Sequence, residues 1–176
     1  MEVGLGCVGL DEEGRICFAN QTLWNPNDVL SFFDMKGKYM GNKTTTLEFS
    51  GILIPFLLCN QLLANKHVVI GVDNISCLYA WERGYSKEDN TASVLVRVLV
   101  LLSAKLACVV HMVHVPRDTT WESKLADRLS RRKTTQQSDK NLLAQFTHPS
   151  LPKPFRDWMA NPCEDWQLPE KLVSNL

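Results

Sequence analysis

The chain has 176 residues, 45% of them apolar, enough to bury one sizeable core and carry an appendage. Nineteen Lys and Arg balance nineteen Asp and Glu, which excludes a global electrostatic pull toward a polyanion and makes any nucleic-acid surface a local one. Six cysteines, at 7, 17, 59, 77, 108 and 163, form no CxxC pair and no Cys/His cluster at zinc spacing, so they read as reduced core residues of an intracellular protein.

No charged start, apolar stretch and small-residue cleavage site opens the chain, and a cytoplasmic or nuclear location is expected. Residues 3–10 and 14–20 are short runs rich in Val, Ile, Cys and Phe, separated by Asp11-Glu12-Glu13-Gly14. That pattern predicts a β-hairpin closed by a tight reversal. Residues 24–43, with Asn25-Pro26-Asn27-Asp28, Gly37 and Gly41, read as a long loop holding a third strand near 38–40. Thr44, Thr45 and Thr46 offer an N-cap to the apolar stretch 47–64, in which Gly51 and Pro55 imply a bend or a late helix start.

Residues 67–72 (HVVIGV) form a continuous β-branched run suited to a strand covered on both faces. A helix at about 74–83, a break at Gly84-Tyr85-Ser86, and a long helix near 88–106 follow. Residues 108–115 (CVVHMVHV) form a second such strand stopped by Pro116, and 119–132 a further helix. The order β-β-(β)-α-β-α-α-β-α predicts an α/β domain with a mixed sheet and right-handed crossovers. The two most apolar stretches, 47–64 and 94–110, carry Glu48, Asn60, Gln61, Arg97, Ser103 and Lys105, which speaks against spanning a membrane. Residues 1–132 are expected to form the domain and 133–176 a linker and an irregular or helical tail.

Three carboxylates stand where chemistry gathers, at strand ends and crossover starts. Asp73 directly follows its strand; alone it also suits a helix N-cap. Glu48, near a helix start, also suits the helix dipole, and Asp127 also suits an i,i+4 pair with Arg131. Together they carry a resemblance. Thr44-Thr45-Thr46-Leu47-Glu48, the strand ending at Asp73-Asn74, and Val113-His114-Val115-Pro116 followed by Ala126-Asp127-Arg128-Leu129-Ser130-Arg131 resemble, in order, motifs of the ribonuclease H-like domain of retrotransposon reverse transcriptase polyproteins.

The resemblance implies a mixed sheet of about five strands flanked by helices, and a two-metal endonuclease that cleaves the RNA strand of an RNA/DNA hybrid during reverse transcription. Glu48, Asp73 and Asp127 would be its catalytic metal ligands, converging within about 8 Å on Mg2+ or Mn2+ held about 4 Å apart. Hard oxygen ligands select these ions over zinc. Asn74, Ser76 and Thr45 would meet the hybrid's hydroxyls and phosphates, with Arg128 at its backbone. Lys36, Lys38, Lys43, Arg131, Arg132 and Lys133 also suit phosphates, as they suit an ordinary solvated face.

Two departures from the family pattern stand out. A further family Asp precedes the glycines at Gly4 and Gly6, where this chain offers only Glu2; Asp11 lies at the opposite strand end. The His that cellular members place after the Pro is replaced by Arg117-Asp118-Thr119, where Asp118 or Glu122 would have to approach a second metal. The alternative is therefore a non-catalytic ribonuclease H-like module that binds nucleic acid or serves as a scaffold, or an interaction domain that binds through its tail. The segments around Trp158 and Trp166 resemble, more loosely, the region following this domain in tyrosine-recombinase-encoding retroelements.

Overall fold

A computed structural model describes residues 3–24, 43–131 and 136–174. Among these lie four strands and eight helices in a mixed α/β arrangement. The strand proposed near 38–40 lies outside the described residues. Strands β1 (Val3–Leu10) and β2 (Ile16–Trp24) form the expected antiparallel hairpin. Its turn closes as the sequence suggests: Asp11 Oδ1 accepts from the backbone of Glu13 and Arg15, and Gly14 takes a φ of 77° that a side chain would disfavour.

Helix α1 (Thr44–Leu58) runs on through Gly51 and Pro55, with the short α2 (Asn60–Leu63) after it, so of the bend or late helix start that these residues implied the late start is absent. Proline at 55 removes the N–H that would have bonded the Gly51 carbonyl. The Cys7 thiol of β1 donates to that carbonyl instead, at 3.2 Å. Desolvation pushes the Cys7 thiol up to about 12, which keeps it protonated and able to donate. Leu5 packs on the same helix beside Gly51.

The opposite face of β1 carries Gly4 and Gly6 followed by Val8, and α5 (Trp121–Leu129) lies directly on it. A Cβ at Gly4 would fall 2.1 Å from the Ser130 carbonyl oxygen, and one at Gly6 2.2 Å from that of Ala126. Gln21 of β2, opposite Gly6 in the register, donates to the Leu129 and Arg131 carbonyls and so satisfies the end of this helix. The hairpin is thus a layer between α1 and α5.

Strands β3 (His67–Val72) and β4 (Val109–His114) pair in parallel, joined by α3 (Ile75–Arg83) and α4 (Asn90–Lys105). The two strand pairs exchange no backbone hydrogen bonds, so the described residues form two two-stranded sheets rather than the single mixed sheet expected. Apolar side chains unite them: Leu5 and Phe18 of the hairpin share one core with Val72 and Met112 and with α1 and α4. The expectation that β3 and β4 are covered on both faces is corrected. Val68, Ile70 and Met112 face the core, while Val69 is 67% exposed and Val109 and Val113 are exposed beside it.

After α6 (Gln137–Gln145) come α7 (Lys153–Ala160) and α8 (Leu168–Val173). Phe155, Trp158, Met159, Leu168 and Leu172 enter the main core, where α8 covers α4. His148 fastens the tail to β2: the Ala19 carbonyl can only accept, so Nε2 donates to it at 2.9 Å, which leaves Nδ1 to accept from the Cys59 thiol. All six cysteines are free thiols; Cys163 is exposed, against the expectation that they sit in the core. No described helix is long and apolar enough to cross a membrane.

The glycine contacts give a two-sided test in urea denaturation. Gly6→Ala forces α5 off β1 and costs about 1–3 kcal/mol. Gly51→Ala places its Cβ at ordinary contact, 3.4 Å from Leu5, and gains up to about 1 kcal/mol from helix propensity. Equal effects at the two positions would refute this packing of β1 between its helices.

Candidate functional site

The start of α1 is held by a buried carboxylate. Asp89, only 3% exposed, caps α4 by accepting from the backbone of Thr91 and Ala92. It also accepts from the Thr46 hydroxyl at 2.5 Å, the Thr46 backbone and the Thr91 hydroxyl, and pairs with Lys43 at 3.6 Å. The threonine cluster was expected to cap α1 itself; Lys43 instead occupies the cap position with no side-chain bond, and Thr46 serves Asp89. The helix is thereby anchored two residues before Glu48.

The N-cap of α3 is Asn74, whose Oδ1 accepts from the Ser76 backbone. Asp73 is therefore spared the capping role and faces an open cleft of about 460 Å³. Thr44, Thr45, Glu48, Asp73, Asn74, Ser76, Glu88 and Arg117 line it. Glu48, Asp73, Asn74, Ser76 and Thr45, five of the residues singled out from sequence, thus share one cleft.

Asp127 and Arg128 do not line it. Asp127, on α5, is paired with Arg131 at 2.6 Å. Arg128 makes a two-pronged pair with the buried Asp139 of α6, both contacts at 3.0 Å. Asp11 is engaged with Arg15 in the hairpin turn, and Trp81 packs against the core. Glu2, Lys36, Lys38, Arg132 and Lys133 lie outside the described residues.

Two cleft residues were missed by sequence reasoning. Glu88 precedes the Asp89 cap and carries no pattern that marks it. Arg117 lies in the loop after Pro116, where the missing His drew attention and the arginine did not; its Nε and Nη2 hold Asp73 Oδ2 at 2.9 and 2.7 Å.

Electrostatics set Glu48 apart. Burial, and then the neighbouring Asp73 carboxylate, push its carboxyl up to about 7, against hydrogen bonds from Asn74 and Cys77 and the charge of Arg117. Beneath it the Cys77 thiol, raised by burial and by Glu48, stays protonated and points at Glu48 Oε2 from 3.9 Å. Among the described residues no three His, Cys, Asp or Glu side chains are grouped to hold a metal ion. The donor set near Glu48 and Asp73 fits one mostly hydrated magnesium, which needs only one or two carboxylates, and not a pair of ions.

Comparisons with protein-family models, curated proteins and solved structures found no match.

The raised Glu48 pKa has a defined pH signature. The folded state keeps a proton that the unfolded chain releases, so this group's contribution to stability is complete below about pH 4.5 and is lost as pH rises through about 7. Glu48→Gln removes that loss. Its melting temperature relative to the parent chain is expected to be higher at pH 8 than at pH 5, and an offset independent of pH would refute the assignment.

Proposed function

We propose that this chain is a ribonuclease H-type endonuclease module of a retroelement reverse transcriptase polyprotein, acting on the RNA strand of RNA/DNA hybrids. The observation that carries this reading is the meeting of Glu48 and Asp73, from two separate motifs, in one open cleft rimmed by Thr45, Asn74 and Ser76. Crowded carboxylates are costly without a cation to relieve them, and at Glu48 the Asp73 charge adds, second to burial, to the rise of its carboxyl.

Asp73 and Glu48 would hold Mg2+ or Mn2+, which supplies Lewis acidity and a polarised water when bound. Glu48, near neutrality, can keep or release a proton at its carboxylate oxygens within the physiological range. The Thr45, Asn74 and Ser76 side chains present short donors and acceptors of the kind that read 2′-hydroxyls and phosphate oxygens without reading bases. Asp127, on the helix that packs against β1, completes the family's set only if its pair with Arg131 opens.

A second reading has its own observation. Arg117 and Arg131 already neutralise Asp73 and Asp127, as suits a non-catalytic module that binds nucleic acid or acts as a scaffold.

A labelled RNA/DNA hybrid separates the two. With Mg2+ or Mn2+ the chain is expected to bind hybrid with an affinity that falls steeply with salt. Slow cleavage of the RNA strand, lost in Asp73→Asn while binding persists, supports the enzyme. Binding without cleavage in either metal supports the second reading, and absence of hybrid binding at low salt overturns both.

A further inference from the structure

Arg117 is not a stray surface arginine. It follows Pro116 at the end of β4, in a turn secured by the Thr119 backbone and hydroxyl, both donating to the Pro116 carbonyl, with Asp118 at a φ of 61° before α5 begins. From there its Nε and Nη2 converge on a single oxygen of Asp73. Glu48 lines the same cleft beside this pair, so one cation stands among the carboxylates that the cleft brings together.

We propose that Arg117 is the resident counter-cation of the cleft, so that a divalent metal reaches Asp73 only by displacing an internal ion pair. The proposal rests on the metal-dependent reading above and adds an autoinhibitory contact to it. Geometry makes the contest direct, because the oxygen held by the guanidinium belongs to the carboxylate that would ligate the ion. Exposure makes it reversible: the Arg117 and Asp73 side chains are 61% and 35% exposed, and solvent-exposed pairs are held weakly. A doubly charged ion competes well for such a carboxylate, yet the arginine lowers its affinity both by occupying the ligand and by its own charge.

The test is Mn2+ binding to the full chain, measured by the electron-paramagnetic signal of free Mn2+ and by calorimetry. Arg117→Gln is expected to tighten Mn2+ binding about tenfold, within the range of ordinary site-to-site couplings. Arg117→Glu is expected to tighten it further, and Arg117→Lys, which keeps the charge and loses the fork, to fall between the parent chain and Arg117→Gln. Unchanged or weaker binding in both Arg117→Gln and Arg117→Glu overturns the proposal.

Asp73→Asn locates the fault. If it abolishes Mn2+ binding while the Arg117 variants change nothing, the counter-cation role falls and the metal reading stands. If it leaves Mn2+ affinity unaltered, the ion does not bind at Asp73 and both fall together. Melting curves of each variant confirm that the affinity comparisons are made on folded protein.

Discussion

The structure depends on one carboxylate taken out of water. Asp89 is buried, and a buried carboxylate is tolerated only when its oxygens are satisfied. Its partners come from two places at once: the first turn of α4, which it caps, and the first turn of α1, through Thr46. Two helix starts separated by more than forty positions are therefore locked side by side. Because α1 also touches β1 and α4 runs through the core, that lock sets where Glu48 lies relative to Asp73. The cleft is a consequence of the clamp rather than an independent feature.

Glu48, Asp73 and Asp127 are each stabilised differently by their surroundings. Asp73 has Arg117, Asp127 has Arg131, and Glu48 answers by holding a proton more tightly. The two ion pairs offset carboxylate charge with a cation within reach, whereas the rise at Glu48 comes first from burial and only then from the Asp73 charge. Of the two arginines only Arg117 lies in the cleft, where it offsets the charge of Asp73. The glycine face of β1 contributes by letting α5, and with it Asp127, approach the hairpin as closely as backbone allows.

Much of this was legible in the sequence, for reasons that can be located. The hairpin announced itself through Asp11 to Gly14, and β3, α3, α4 and β4 through apolar runs with clear stops. Glu48, Asp73, Asn74, Ser76 and Thr45 came together because motif order encodes which strand ends adjoin which helix starts. What stayed hidden were pairings between distant side chains. The threonines at 44–46 look like a local cap, and only the fold reveals that Thr46 serves Asp89. Pro55 looks like a late helix start because its compensation, the Cys7 thiol, sits 48 positions away. A β-branched run such as 67–72 reads as doubly buried whether or not its second face is covered; here Val69 is open. Arg117 was invisible because an arginine after a proline means nothing until its reach to Asp73 is known.

The covering of α4 by α8 bears on how the chain acquires its shape. Helix α4 carries buried residues around most of its circumference, among them Val94, Leu95, Val98 and Leu99, and one of the surfaces that hides it is supplied by Leu168 and Leu172, close to the end of the described residues. During synthesis that side of α4 stays bare until nearly all of these residues have emerged. The hairpin can form early, since its contacts are local, but closure of the core waits on contacts of long sequence separation, which are slow to make. A nascent chain of this protein therefore passes through an interval in which α4 is folded but unroofed on one side, the kind of exposed apolar surface that chaperones recognise.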